Sequence, residues 1–294
     1  MKDGQGSSRF GLGREVARRA LVDMSRDAGL GLEDREAFRR DGYLVKRAVL
    51  DPESCARAVD RVWTFLPPSF DRDNHRTWRG TLTDCNGTKS MRRRKGRFKI
   101  REQVWSEPWL LQFLPLHPTV FSIAEQLLGP GSVAAPSRIR GLYPIFPTRR
   151  ILRNHPTGHV DRHVYQLGVI AYLDQVDAGE GAFTLWPGSH RLFYYDFTTH
   201  AGIQPGPSLV RHLDAYKRRR KSAIEIPGGL GDVIFYHHRL LHAAGRNRGY
   251  RVRQGALAEF IRGDLENTRN EPPDDDMWRH WSLARSSLPS ARTQ

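Results

Sequence analysis

Cysteine is nearly absent from this chain: Cys55 and Cys85 are the only two in 294 residues. Two thiols cannot build the disulfide framework of a small secreted domain, and their spacing is not that of a thiolate metal site. A reducing, cytoplasmic setting is the expectation. Long apolar runs are missing as well, none approaching the roughly 18 to 20 residues that cross a bilayer, so no membrane association is expected. No continuous apolar signal segment opens the chain, and the Arg-rich stretch from Arg14 to Met24 is interrupted by Glu15 and Asp23, which argues against an organelle transit peptide. Acidic residues are the scarcer charge, 32 against 47 Lys and Arg, for a formal net charge of +15. Such a field draws in anions and disfavours a polycationic substrate, whatever the fold.

The basic excess is clustered. It gathers at Arg92, Arg93, Arg94, Lys95, Arg97, Lys99 and Arg101, around Arg149, Arg150 and Arg153, and from Lys217 to Lys221. Each cluster has two readings, contact with phosphate or carboxylate groups or a solvated loop or helix face.

With 38% hydrophobic residues, the chain is long enough to bury one sizeable core. Residues 1–31 are rich in Gly, Ser and Arg and are expected to form a flexible N-terminal arm. Residues 32–265 then form one folded domain, and residues 266–294 a C-terminal tail docked through Trp278 and Trp281. Within the domain, a helix around Phe38 stops at Asp41-Gly42 and leads into a short strand at Tyr43-Leu44-Val45. Asp51-Pro52-Glu53 opens a second helix with a cap, a proline in its first turn and an acid near its positive end. Residues 69–103, polar and basic without a clear period, read as a long loop near the mouth of a site. A further amphipathic helix spans Pro118 to Leu128 and closes at Gly129-Pro130-Gly131.

Beyond about residue 132 the pattern changes to short β-type runs at Tyr165 to Leu173, Ala182 to Trp186, Ser222 to Ile226, Asp232 to Tyr236 and Val252 to Ile261. Helices first and strands second imply a mainly β core with flanking helices.

A redox metal that must bind both a chelating co-substrate and dioxygen can give the protein only three of its six positions. Two neutral imidazoles and one carboxylate on one face meet that need. In sequence this takes the form of His-x-Asp beside one strand and a second His far downstream. His159-Val160-Asp161 precedes the strand at Tyr165, and His242 follows the strand at Asp232 to Tyr236. Twelve His and 32 acids in 294 residues yield about one His-x-acid triplet by chance, and two are present. The other, His212-Leu213-Asp214, runs into a polar segment with no strand to fix it, so the metal ligands are assigned to His159, Asp161 and His242. A 2-oxoglutarate co-substrate would also need a cation for its distal carboxylate. Arginine suits that role because its planar fork matches a carboxylate and keeps its charge. Arg253 opens the next strand, and Arg251, on the same face by the two-residue period, is the fallback.

With these residues placed, the chain resembles the phytanoyl-CoA dioxygenase family from about Phe38 to about Phe260. Phe38-Arg39-Arg40-Asp41-Gly42-Tyr43-Leu44-Val45 is similar to the family's opening, and His117-Pro118 with Leu127-Leu128-Gly129 to its second helix. His159-Val160-Asp161 matches the proximal motif and Trp186-Pro187-Gly188-Ser189-His190-Arg191 the Pro-Gly-Ser-His turn. Gly231-Asp232-Val233-Ile234-Phe235-Tyr236-His237 through Leu240-Leu241-His242 matches the distal motif, with Asn247 and Arg253 following. The resemblance implies a double-stranded β-helix, a cupin-like jelly roll. It implies Fe(II), 2-oxoglutarate and O2 as cofactor and co-substrates, with ascorbate as an auxiliary reductant. Asp161 is retained where halogenating relatives lack the carboxylate, which implies hydroxylation or a related oxidation. Ala243-Ala244 stands where the family usually has Gly-Ser. His237 and His238 sit close enough to compete as ligands but off the family's position, and His155, His163 and His190 read as structural or as supports behind the ligands.

The expected activity is oxidation of an unactivated C–H bond in a small anionic metabolite or natural-product intermediate, with release of succinate and carbon dioxide. The competing reading is a nucleic-acid-binding or nucleic-acid-modifying oxygenase that uses the Arg92 to Arg101 cluster. Aromatic residues interleave sparsely there, only Phe98 and then Trp105, so no stacking platform is evident.

Overall fold

The computed structural model describes residues 29–78, 97–147, 158–218 and 223–283. The expected N-terminal arm falls outside them except for its last three residues, as do Cys85, His155 and most of the basic clusters. Helix α1 (Leu32–Asp41) ends at Gly42, which takes the left-handed φ of 81° needed to turn the chain into β1 (Tyr43–Lys46). A side chain at Gly42 would also collide with the His190 ring. Helix α2 (Pro52–Trp63) starts where the Asp51 carboxylate accepts the Ser54 amide at 2.8 Å, with proline in its first turn. Helices α3 (Pro108–Phe113) and α4 (Pro118–Leu128) follow, and the apolar face of α4 is buried almost throughout.

The β elements come next: β2 (Gly141–Leu142), β3 (Leu167–Tyr172) and β4 (Phe183–Leu185). After the short helix α5 (His190–Phe193) and α6 (Leu209–Arg218) come β5 (Ile224–Ile226), β6 (Val233–His237), β7 (His242–Ala244) and β8 (Gly255–Phe260), then α7 (Leu265–Thr268). They form a five-stranded sheet in the order β1-β6-β3-β8-β2 and a three-stranded sheet in the order β5-β4-β7. Every pairing is antiparallel.

Alternation along the strands assigns the faces of the large sheet. Leu167, Val169 and Ala171 of β3, Val233 and Phe235 of β6, and Ala256, Ala258 and Phe260 of β8 pack beneath the helices in the main core. The intervening Ile170, Tyr172, Ile234 and Tyr236 face the small sheet and meet Phe183, Leu185 and Ile226 across the sandwich. Strand β3 lies between β6 and β8 and is buried on both faces, which explains its unbroken apolar run.

Two sequence expectations change. Residues 97–103 are not wholly free loop, because Arg97 bridges Ile145 and Ile100 bridges Leu142, extending the large sheet past β2. Strand β8 begins at Gly255, not Val252, because residues 249–251 bend before entering it. The stretch read as a C-terminal tail packs into the main core through Met277, Trp278, Trp281 and Leu283. Trp278 and Trp281 lie edge-on and tilted against Phe38, and Trp281 stacks on His237 with ring centroids 4.9 Å apart.

Candidate metal centre

The two histidines read as ligands are direct backbone neighbours. The His159 amide donates to the His242 carbonyl at 2.9 Å, and the His242 amide donates back at 3.1 Å. In such a reciprocal antiparallel pair the side chains project to the same side, and the imidazole centroids lie 4.5 Å apart. Asp161, two residues on, returns to the face of His159. Its carboxylate comes within 3.5 Å of His159 Nε2 and 3.6 Å of His242 Nε2. The three donor atoms lie within 4.8 Å of one another. A first-row ion bound at about 2.1 Å would set neighbouring donors about 3 Å apart, so small rotations of these side chains would close on one.

The surroundings suit neutral imidazoles and an ionised carboxylate. His242 is buried, its Nδ1 lies 2.9 Å from the Leu240 carbonyl, and burial holds its pKa down at about 4. With the proton on Nδ1, the Nε2 lone pair faces Asp161. Burial works against charge on Asp161, but His242, His159 and Arg140 outweigh it and hold the carboxyl well below its usual range. Tyr165, itself buried, donates its hydroxyl to Asp161 Oδ2 at 2.7 Å. His159 is the open side of the group, with 57% of its side chain exposed against 7% for His242.

These three residues line a cavity of about 120 Å³ shared with Ile170, Phe183, Tyr236, Leu257 and Arg253. Arg253 is 3% exposed, and burial lowers its pKa. One guanidinium nitrogen donates to the Tyr143 carbonyl at 3.3 Å, and the group lies 5.1 Å from the Tyr172 ring centre. Its Nε and Nη2 have no partner among the described residues. A Cβ at Gly255 would come within 2.5 Å of the guanidinium, so glycine there leaves Arg253 its room.

Arg251 is not beside it. The Arg251 side chain is half-exposed and pairs with Asp177 at 3.2 Å and Glu180 at 3.1 Å. The two-residue period fails because Arg251 sits in the bend, where its carbonyl accepts from the Asn247 side chain at 2.6 Å. His212, of the rival triplet, lies on α6 and bonds Asp196 at 2.8 Å. His237 and His238 are buried away from the group, near Trp281 and the Gln166 carbonyl respectively.

Sequence reasoning missed three cavity residues, Arg97, Lys99 and Arg140. The first two were counted within a basic cluster, yet Arg97-Phe98-Lys99-Ile100 alternates as a strand does. Phe98 and Ile100 enter the main core, while Arg97 and Lys99 line the cavity. Arg140 adjoins β2, too short to show a period, and contacts both Glu259 and His163.

A family model described as phytanoyl-CoA dioxygenase matches residues 38–255. The peroxisomal phytanoyl-CoA dioxygenase of Bos taurus is 22% identical over 257 residues, covering 82% of this chain and 73% of that protein. Among solved structures, the non-heme alpha ketoglutarate dependent carbocyclase SnoK from nogalamycin biosynthesis aligns with a TM-score of 0.53 at 18% identity, covering 85% of this chain and 95% of that one. EctD from S. alaskensis, crystallised with 2-oxoglutarate and 5-hydroxyectoine, aligns at 0.52 and 19%, covering 90% and 87%. The epimerase SnoN, in complex with Fe3+, alpha ketoglutarate and nogalamycin RO, aligns at 0.52 and 20%, covering 78% and 82%. At these identities the structures carry the fold.

Proposed function

Since the chain belongs to the phytanoyl-CoA dioxygenase family, we propose that it is a non-haem Fe(II)- and 2-oxoglutarate-dependent dioxygenase acting on an unactivated C–H bond of a small anionic molecule. His159, Asp161 and His242 hold the metal in this reading. Iron bound there supplies oxidising power from dioxygen as 2-oxoglutarate is converted to succinate and carbon dioxide.

The chain's own residues orient and enclose. Tyr165 fixes one oxygen of Asp161, and the Leu240 carbonyl fixes the ring of His242. Arg253 receives the distal carboxylate of 2-oxoglutarate, and Ile170, Phe183 and Leu257 keep water from the remainder. The observation that carries the reading is the buried guanidinium of Arg253. Two of its nitrogens are unpartnered among the described residues, and it lines the same cavity as two imidazoles and a carboxylate. A buried cation in that condition calls for an anion.

The anionic substrate follows from the net charge of +15. SnoK is a carbocyclase and SnoN an epimerase, so the fold leaves the outcome of oxidation open and hydroxylation is the simplest case. No helix of the described residues is long and apolar enough to cross a membrane, and the scarcity of cysteine supports a cytoplasmic setting.

Anaerobic addition of Fe(II) and 2-oxoglutarate tests the proposal. A weak visible charge-transfer band should form in the parent and be absent from His159→Ala and Asp161→Ala. A parent chain that gives no band, with both components saturating, would refute it.

A further inference from the structure

A second and larger cavity lies against the metal centre. It encloses about 500 Å³, within the range of small-molecule sites. Arg140 belongs to the wall of both cavities. Tyr165, whose hydroxyl holds Asp161, and His163, two residues past Asp161, line it as well. Arg140 and Tyr165 thus stand between this cavity and the metal-binding face.

The far wall is basic and built around Trp105. The Trp105 indole donates to the Arg140 carbonyl at 3.1 Å, and its own carbonyl accepts the Ile139 amide at 3.0 Å, so the ring is pinned to the β2 edge. The Arg138 guanidinium lies 4.9 Å from the ring centre and that of Arg101 5.7 Å. The indole thus holds two cations on one platform. Neither forms an ion pair among the described residues, and Arg101 Nε is buried with no hydrogen-bond partner. Among the described residues Glu259 is the one acid lining this cavity, and it is engaged by Arg140 and by His163, the latter at 2.5 Å. The charge left over is positive and sits at Arg101 and Arg138.

We infer that this cavity is the substrate seat, and that Arg101 and Arg138, carried on Trp105, capture a carboxylate or phosphate group of the substrate. The body of that molecule crosses the cavity toward Arg140 and Tyr165, which presents its far end to the metal. The assignment to substrate rests on the oxygenase reading, whereas the anion seat itself rests on the cavity and its arginines.

Calorimetric titration of the full chain, free of metal and 2-oxoglutarate, separates the two. Phenyl phosphate and phenylacetate are the probes, added in separate experiments. At least one should bind with one-to-one stoichiometry, and the preferred probe names the group as phosphate or carboxylate. Arg138→Gln and Arg101→Gln should each weaken that binding by about tenfold or more. Arg138 is exposed, so its variant should melt like the parent and keeps the test sound even if Arg101→Gln misfolds. Absence of binding by both probes, or binding indifferent to Arg138→Gln, would overturn the inference. So would tighter capture, through the same arginines, of a short oligothymidylate with a steep salt dependence, since the seat would then belong to a nucleic acid. If the iron chromophore forms while neither probe binds, this inference alone falls. If a probe binds while no chromophore forms, the oxygenase reading falls and the anion seat stands.

Discussion

Replacing Arg253 with methionine should separate stability from co-substrate binding. The Arg253 guanidinium is buried, donates to the Tyr143 carbonyl, lies against the Tyr172 ring and leaves Nε and Nη2 without a partner among the described residues. A cation desolvated without an acid is a net cost to folding, and an unbranched apolar side chain of similar length removes it. The ligand-free Arg253→Met chain should therefore melt no lower than the parent. Binding should behave oppositely. Losing two charge-assisted hydrogen bonds to a carboxylate costs about 3 kcal/mol, close to a hundredfold in the 2-oxoglutarate concentration at half-saturation. A melting series reports both effects. With the co-substrate at about one hundred times its dissociation constant, ligand linkage should raise the parent's midpoint by about 5 °C, and the variant should barely move at that concentration. An unchanged 2-oxoglutarate dependence would refute the role given to Arg253. A ligand-free midpoint several degrees lower would refute the claim that its burial is uncompensated.

Tyr165→Phe removes the hydroxyl that orients Asp161. It should weaken Fe(II) affinity by about tenfold to a hundredfold without unfolding the chain, as read by metal titration against a competing chelator. Trp278→Ala should destabilise the protein by about 3 to 5 kcal/mol, measured by urea denaturation, because Trp278 is buried between Phe38 and His190. Acid should weaken the metal-free fold. Burial holds His190 and His200 near pKa values of about 4, against 6.5 when unfolded. The unfolded chain then takes up protons that the folded chain refuses, so stability is full above about pH 6.5 and declines from there to about pH 4. Urea midpoints at pH 7 and pH 5 test this, and equal midpoints would contradict it.

Much of this was legible in the sequence because it depends on local periodicity. The strands around Val169, Phe235 and Ala258 show as apolar runs, since the central strand is covered on both faces. The His159, Asp161 and His242 set could be read because a His-x-Asp beside a strand carries its own two-residue geometry. Arg253 lies in the same cavity as those three, whereas Arg251 turns away because the period was extended one step into a bend fixed by Asn247. Arg97, Lys99 and Arg140 stayed hidden because isolated bridges to Ile145 and Leu142, and the two-residue ladder of β2 with β8 at Leu257, hold their segments, and such long-range pairing leaves no local repeat.

The reciprocal amide bonds between His159 and His242 have a consequence for metal choice. The protein's own hydrogen bonds hold the two backbones side by side, so only side-chain rotations separate the donors from a closed set. Manganese, cobalt or nickel should enter the same constellation without refolding, in the order of their intrinsic affinities. Which metal the protein carries in a cell is then a matter of supply and oxidation state.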